Sequence, residues 1–132
     1  MKIIRGAITI ENDTTDEVNK ASCYLMKEIL KLNEISSDDI ISITTTATKD
    51  ITSAYPGPGI RMAGVDVPII CVQEQYVARS LEKCIRFVVT TDISKSVSHV
   101  YVGKARSLRP DLYAEGKWLL LLMALAGQVR AH

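Results

Sequence analysis

Residues 68–89, PIICVQEQYVARSLEKCIRFVV, set thiols and charges beside runs that a fold would bury. Glu74 follows Cys71 by three positions, and Arg86 follows Cys84 by two. Such residue types serve three chemistries: a redox pair, part of a metal site, or the floor of a pocket for a charged small molecule. Three more arginines stand in notable places. Arg5 interrupts an apolar strand, Arg61 ends a Pro/Gly loop, and Arg109 lies in the closing segment Leu108-Arg109-Pro110-Asp111-Leu112. A guanidinium keeps its proton, so one set within a sheet needs an anionic partner or a wet cleft. For any one of them the structural explanation is favoured, with Arg86 paired to Glu74 and the rest reaching water. For several together, with few acids nearby, an anionic ligand explains more.

The competing chemistries have weaker support. Cys71 and Cys84 lack Cys-x-x-Cys spacing, and His99 and His132 form no ligand-spaced set, so no metal is expected. A Cys71–Cys84 disulfide is open if their strands are neighbours, but a reducing compartment argues against it. Nucleophilic Cys–His or Ser–His chemistry would rest on His99 alone within the body, where a plain strand histidine is the simpler reading. Gly57, Gly59 and Gly64 do not fit G-x-G-x-x-G, so a nucleotide loop is not expected.

Composition narrows the partners. A chain of 132 residues suits one domain, and 47% hydrophobic with 23% charged residues fits a soluble globular protein. A formal charge of +1 argues against nucleic-acid binding, and one Trp with one Phe leaves few platforms for stacking bases. Met1-Lys2-Ile3-Ile4-Arg5 runs into a strand pattern rather than a secretory leader, so the three cysteines are expected as free thiols in the cytoplasm. The longest apolar run, Trp118–Ala126, is about half a bilayer span, so no membrane anchor is expected. It suits a C-terminal helix packed on the body or on a neighbouring subunit.

The elements that must position these residues follow from periodicity. Residues 2–11 read as a strand, and Thr14 and Glu17 have capping-box spacing. Val18, Ser22, Leu25, Ile29 and Leu32 form one face of a helix. Strands are expected at 40–46, 67–72, 84–91 and 98–102, a helical turn at 76–82, and an irregular stretch at 47–64 where Pro56, Gly57, Pro58 and Gly59 forbid a long helix. This order implies an α+β, two-layer α/β sandwich: one long helix on a mixed β-sheet, of ferredoxin-like topology. One helix covers one sheet face. VPIICV and CIRFVV are apolar on both faces, so the other face is expected to meet a second copy of the chain.

Five separated segments then carry a resemblance: Arg5-Gly6-Ala7-Ile8-Thr9, Cys71-Val72-Gln73-Glu74, Lys83-Cys84-Ile85-Arg86, His99-Val100-Tyr101 and Leu108-Arg109-Pro110-Asp111-Leu112. In order and spacing they resemble the monofunctional chorismate mutases of the AroH class, the trimeric pseudo-barrel type, from about residue 2 to residue 112. The resemblance implies a single domain over 1–132, with a body at 1–112 and an apolar tail at 113–132. It implies an isomerase converting chorismate to prephenate for phenylalanine and tyrosine synthesis, without cofactor or metal, as a homotrimer with interfacial sites. Arg86 would be the cation at the ether oxygen, and Glu74 would accept from the substrate hydroxyl, with Cys71 on the same wall. Arg5 and Tyr101 would hold a carboxylate. Tyr55 and Arg61 would come from the neighbouring subunit, and Leu108 and Arg109 would close the mouth. Cys84 would fill core beside the working arginine.

The chain departs from that pattern in places. Tyr55 stands for the usual Phe, Ile70 for a threonine and Gln75 for an apolar residue. Pro58 occupies the position of an expected lysine, for which Lys49 or Arg106 would substitute. Two other readings are a trimeric non-catalytic binder of an aromatic-pathway carboxylate and an imine-deaminating trimer. The Cys-x-Gln-Glu and Lys-Cys-Ile-Arg segments argue against the latter.

Overall fold

Alternating apolar residues set the first strand, β1 (Lys2–Thr9), which buries Ile4, Gly6 and Ile8 on one face. In the computed structural model, which describes residues 1–112, the chain continues through α1 (Thr15–Asn33), β2 (Ile40–Ala47), α2 (Gly57–Met62), β3 (Ile69–Gln73), β4 (Cys84–Thr91) and β5 (Val100–Val102). Two 3-10 segments follow, at Gly103–Leu108 and Pro110–Leu112. The tail expected at 113–132 lies outside the described residues.

The strands form one mixed sheet in the order β3-β2-β4-β1-β5. β4 runs antiparallel to β1 and β2, whereas β1–β5 and β2–β3 pair in parallel. The sheet is mixed and carries one long helix, as expected. α1 lies across one face, and its Val18, Leu25, Met26 and Ile29 meet Ile4, Ile8, Ile43, Ile85, Phe87 and Val89 in the core. Phe87 is 1% exposed, a burial worth about 1.5–3 kcal/mol relative to leaving it in water. Among the described residues, no helix is long and apolar enough to cross a membrane.

Local chemistry explains the ends of α1. The Thr14 hydroxyl accepts from Glu17 N–H at 3.1 Å, while the Glu17 carboxylate accepts from Glu11 and Asn12 rather than from Thr14 itself. The helix stops where Glu34 turns left-handed (φ 51°) and Ile35 N–H reaches back to Leu30 O at 3.1 Å. Leu32, expected on the buried face, is 54% exposed. The stripe steps from Ile29 to Asn33 instead, because Asn33 Nδ2 donates to Ile29 O (2.9 Å) and Ser98 O (3.0 Å) while its Oδ1 accepts from Ser98 N–H.

Two further expectations need correction. The helical turn at 76–82 is absent: Ser80 N–H closes on Val77 O, Arg79 takes φ 64°, and the segment ends in a left-handed Lys83 (φ 46°). The irregular stretch at 47–64 contains α2. Its proline falls in the first turn, where a missing N–H costs nothing, and Gly59 permits close approach to α1. A Cβ on Gly59 would stand 2.6 Å from Asn19 O and from Ser22 Cβ.

Candidate functional site

Side-chain alternation sorts the site residues onto two faces. With Ile4, Ile8, Ile85 and Phe87 turned to α1, Arg5, Ala7, Cys84 and Arg86 must turn to the opposite face. There Ala7 is the cross-strand partner of Arg86 and Arg5 that of Val88, which places the two arginines on adjacent strands one step apart. On the other side of β4, Thr46 pairs with Arg86. β5 brings Tyr101 opposite Ala7. Arg5, Arg86, Tyr101, Leu108 and Arg109 together line a hollow of about 300 Å³. A contiguous hollow of about 380 Å³ adds Thr46, Glu74, Val77 and Val88.

Glu74 lies just beyond β3, where its N–H continues the ladder to Ala47 O at 2.9 Å. Its Oε1 accepts from Thr46 Oγ1 at 2.7 Å and stands 2.9 Å from Arg86 Nε. That last contact is a charge approach without an aligned hydrogen bond, since the Nε–H does not point along the line to the oxygen. The pair is part-buried, with side chains 36% and 20% exposed. Thr46 was not singled out in the sequence. The polar members of IISITTTA were its only trace, and they do not say which face is wet.

The floor of the hollow is set from below. Cys84 is fully buried with Ala7, Tyr101 and Ala105, and burial pushes its thiol up to about 11, so it is a neutral space-filler. Thr48 Oγ1 accepts from Cys84 N–H at 3.0 Å, and the Asp50 carboxylate accepts from Lys83 N–H, fixing the start of β4 two residues before Arg86. The closing segment is seated by Thr9 Oγ1, which accepts from Lys104 N–H at 3.0 Å beside Gly103 (φ 66°). Arg109 donates twice to Asp111, from Nε at 3.1 Å and from Nη2 at 3.0 Å; those bonds hold its proton more tightly than usual.

His99 is a positioning side chain rather than a nucleophile. Its Nδ1 accepts from Arg5 N–H at 3.0 Å. Burial, then the charges of Arg5 and Arg109, hold its pKa below the ordinary histidine value.

Cys71 needs correction. It pairs across β2–β3 with Thr45, whose cross-strand partner on β4 is Phe87, so it faces away from Arg86 and does not share a wall with Glu74. It lies instead in a second hollow of about 400 Å³ with Lys49, Thr52, Tyr55, Pro56 and Gln73. Cys71 and Cys84 also stand on strands separated by β2, and both are free. Tyr55 is 72% exposed at the rim of this second hollow. Arg61 is exposed in the last turn of α2 and is not among the residues lining it. One chain therefore brings Arg5, Glu74, Arg86, Tyr101, Leu108 and Arg109 together, and holds Tyr55, Arg61 and Cys71 apart from them.

A clamp unsuspected from the sequence builds that second region. The Asp13 carboxylate accepts from Thr52 N–H (3.0 Å), Thr52 Oγ1 (2.9 Å), Ser53 N–H (3.2 Å) and Ser53 Oγ (2.8 Å). The Thr52 backbone bond and then the Ser53 hydroxyl lower its pKa to about 2.

Comparisons with known proteins agree on one family. The model of the family described as chorismate mutase type I matches residues 1–112. The chain is 37% identical over 114 residues to the chorismate mutase AroH of Bacillus subtilis (strain 168), covering 83% of this chain and 90% of that one. It is 39% identical over 114 residues to the chorismate mutase AroH of Thermus thermophilus, covering 83% and 93%. A solved structure, the chorismate mutase from Clostridium thermocellum Cth-682, superposes with a TM-score of 0.78 at 37% identity over 80% of this chain and 98% of that one.

Proposed function

This chain belongs to the type I chorismate mutases, and from that premise we propose that Arg86 is the catalytic cation of a site that two subunits complete. The protein is an isomerase that rearranges chorismate to prephenate. The ether C–O bond breaks as a new C–C bond forms within one molecule, so no proton transfer and no nucleophile is required. What the reaction needs is a dicarboxylate held compact and a positive charge beside the oxygen that turns anionic.

The observation that carries this reading is Arg86 on the wet sheet face, flanked by Arg5 and Tyr101 and with one edge set by Glu74. Glu74 has two tasks. It holds its negative charge 2.9 Å from Arg86 Nε, and it accepts a hydrogen bond from the substrate hydroxyl; Thr46 keeps it in place. Arg5 and Tyr101 bind a carboxylate, and Leu108 and Arg109 shield the mouth from water.

A neighbouring copy supplies Tyr55 and Arg61, and Cys71 goes with them because it lines the Tyr55 hollow. Support for a homotrimer comes from the uncovered sheet face, where Ile3 is 48%, Ile70 60%, Val72 43% and Val88 39% exposed. We place the enzyme in the cytoplasm as one domain over residues 1–132, its body at 1–112.

The test is direct. Purified protein should consume chorismate, followed by its absorbance, and yield prephenate. Arg86→Ala should lower kcat by about 10²–10³, the loss expected for one preorganised donor to a developing oxyanion, while the oligomer persists. Near-unaltered turnover in that variant would remove Arg86 from the mechanism.

A further inference from the structure

Of the segment His99-Val100-Tyr101, Tyr101 lines the Arg86 hollow and His99 does not. The histidine ring serves the backbone behind that hollow. β5 is three residues long, and its ladder to β1 begins where Gly6 meets Val100. Arg5 stands one residue before that point, beyond the reach of the strand pairing. The His99 ring takes the place of the missing carbonyl: Nδ1 accepts from Arg5 N–H at 3.0 Å. On its other edge Arg5 pairs with Val88 of β4. The ring is itself held. Asn33, buried at the end of α1, donates from Nδ2 to Ser98 O at 3.0 Å and accepts at Oδ1 from Ser98 N–H. Ser98 immediately precedes His99, so the core fixes the backbone from which the imidazole reaches β1.

The guanidinium carried by that stretch of β1 has its charge in hand for an anion. Among the described residues, no carboxylate lies within ion-pair distance of Arg5, whereas Arg86 meets Glu74 and Arg109 meets Asp111. A cation on a fixed backbone captures a carboxylate without first being ordered. We propose that His99 is a positioning residue for that capture: its neutral ring holds Arg5 at the edge of β1 for the substrate carboxylate, and lets go when it takes up a proton. Nδ1 accepts only while it is bare, so the working ring carries its hydrogen on Nε2. A second proton would turn Nδ1 into a donor facing a donor, and Arg5 N–H would lose its partner. The charged groups that bear on the ring are both cations, Arg5 from β1 and Arg109 from the closing segment, and with burial they oppose that proton. From α1, the side chain that seats the segment, Asn33, is neutral. This inference rests on the chorismate mutase reading above and concerns how one of its binding groups is held.

Holding Arg5 serves capture rather than bond breaking, so the effect should fall on KM. In chorismate turnover by the full chain near neutrality, H99L should raise KM about 3- to 10-fold, the range for losing one net hydrogen bond, with kcat within about twofold. H99N carries an acceptor on the same γ carbon and does not titrate, so it should bring KM back to within about twofold of the unsubstituted chain. As pH falls from about 7.5 to about 5, KM should rise in the unsubstituted chain and stay level in H99N. A ring acting through its charge would do the reverse, since an imidazolium beside a dianion would lower KM in acid. Nitrogen NMR of the histidine ring should show the Nε2–H tautomer, titrating below 6.5. An H99L enzyme with unaltered KM overturns the assignment and leaves the chorismate mutase reading standing. So does an H99N enzyme no better than H99L, or a KM that is level or falls in acid in the unsubstituted chain. H99N and that pH profile decide the matter even where H99L fails to fold. Failure of the unsubstituted chain to consume chorismate overturns both.

Discussion

The Arg86 hollow and the Tyr55 hollow are built by different means. The first is cut into the sheet: Arg5, Thr46 and Arg86 stand on three neighbouring strands, with Tyr101 beside them on β5 and Cys84 packed beneath. Thr46 and Arg86 are held on both sides by a ladder, and Arg5 by β4 on one side and by the His99 bond on the other, so a guanidinium at that spot has little freedom to wander. The second is lined mainly by the connection from Thr48 to Pro56, pinned by one carboxylate, Asp13, with Cys71, Val72 and Gln73 of β3 opposite; α2 follows the connection and is seated on α1 at Gly59. Rigid backbone suits the group that must already be aimed when charge develops. A loop-borne wall suits the part that must admit and release substrate.

That contrast can be broken from either side. The largest effect should come from Phe87→Ala, which empties a position 1% exposed between the working faces. About 3–5 kcal/mol of stability should be lost, read from denaturant unfolding, and both hollows should fail together. Gly59→Ala should cost about 1–3 kcal/mol by overpacking, since its Cβ would meet the α1 backbone at Asn19. Hydrogen exchange should then rise in α2 while β1 and β4 stay protected. Equal loss of protection in the sheet would refute the division into two regions.

Thr46→Val should be milder, about 1–2 kcal/mol in kcat/KM, because Glu74 keeps Arg86 but loses one hydroxyl hydrogen bond to its carboxylate. Its effect should fall on kcat rather than on KM; the reverse would mean that Glu74 serves only to bind.

Acid should separate the regions by a smaller margin. Asp13 has a folded pKa of about 2 against 3.8 for the unreacted carboxyl, so its contribution is complete above pH 3.8 and fades as pH falls toward 2. Asp13→Asn should flatten stability against pH in that window and leave the sheet otherwise intact. His99 has a lowered folded pKa, so the unfolded chain binds the proton more readily, and stability should decline as pH drops below 6.5. Above neutrality neither group titrates, and with no proton moved in the reaction, kcat should stay nearly flat from about pH 7 to 9.

Much of the ladder-built region was legible in the chain itself. Arg5 and Arg86 each break an apolar run, and an unremovable charge in a strand needs an anion or water; Glu74 was the nearest acid to consider. The loop-built region was largely illegible. The resemblance implies Cys71 on the wall of Glu74, yet a separation of three positions across a strand end leaves the face within one chain undetermined. Tyr76–Glu82 has helical composition, but Asp50 and Thr48, far away in sequence, hold its end in a left-handed turn. Asp13 and Thr52 are 39 residues apart, so no local pattern could join them.

The amino-acid sequence by itself determined most of the strands, the long helix and the identity of the cations, because side-chain period and residue type are local properties. Only the tertiary structure decided which strands are neighbours, and hence that Thr46, Glu74 and Arg86 meet while Cys71 turns away with Tyr55 and Lys49. Register is set by the packing of the whole core, and a single-residue slip would send every one of these side chains to the other face.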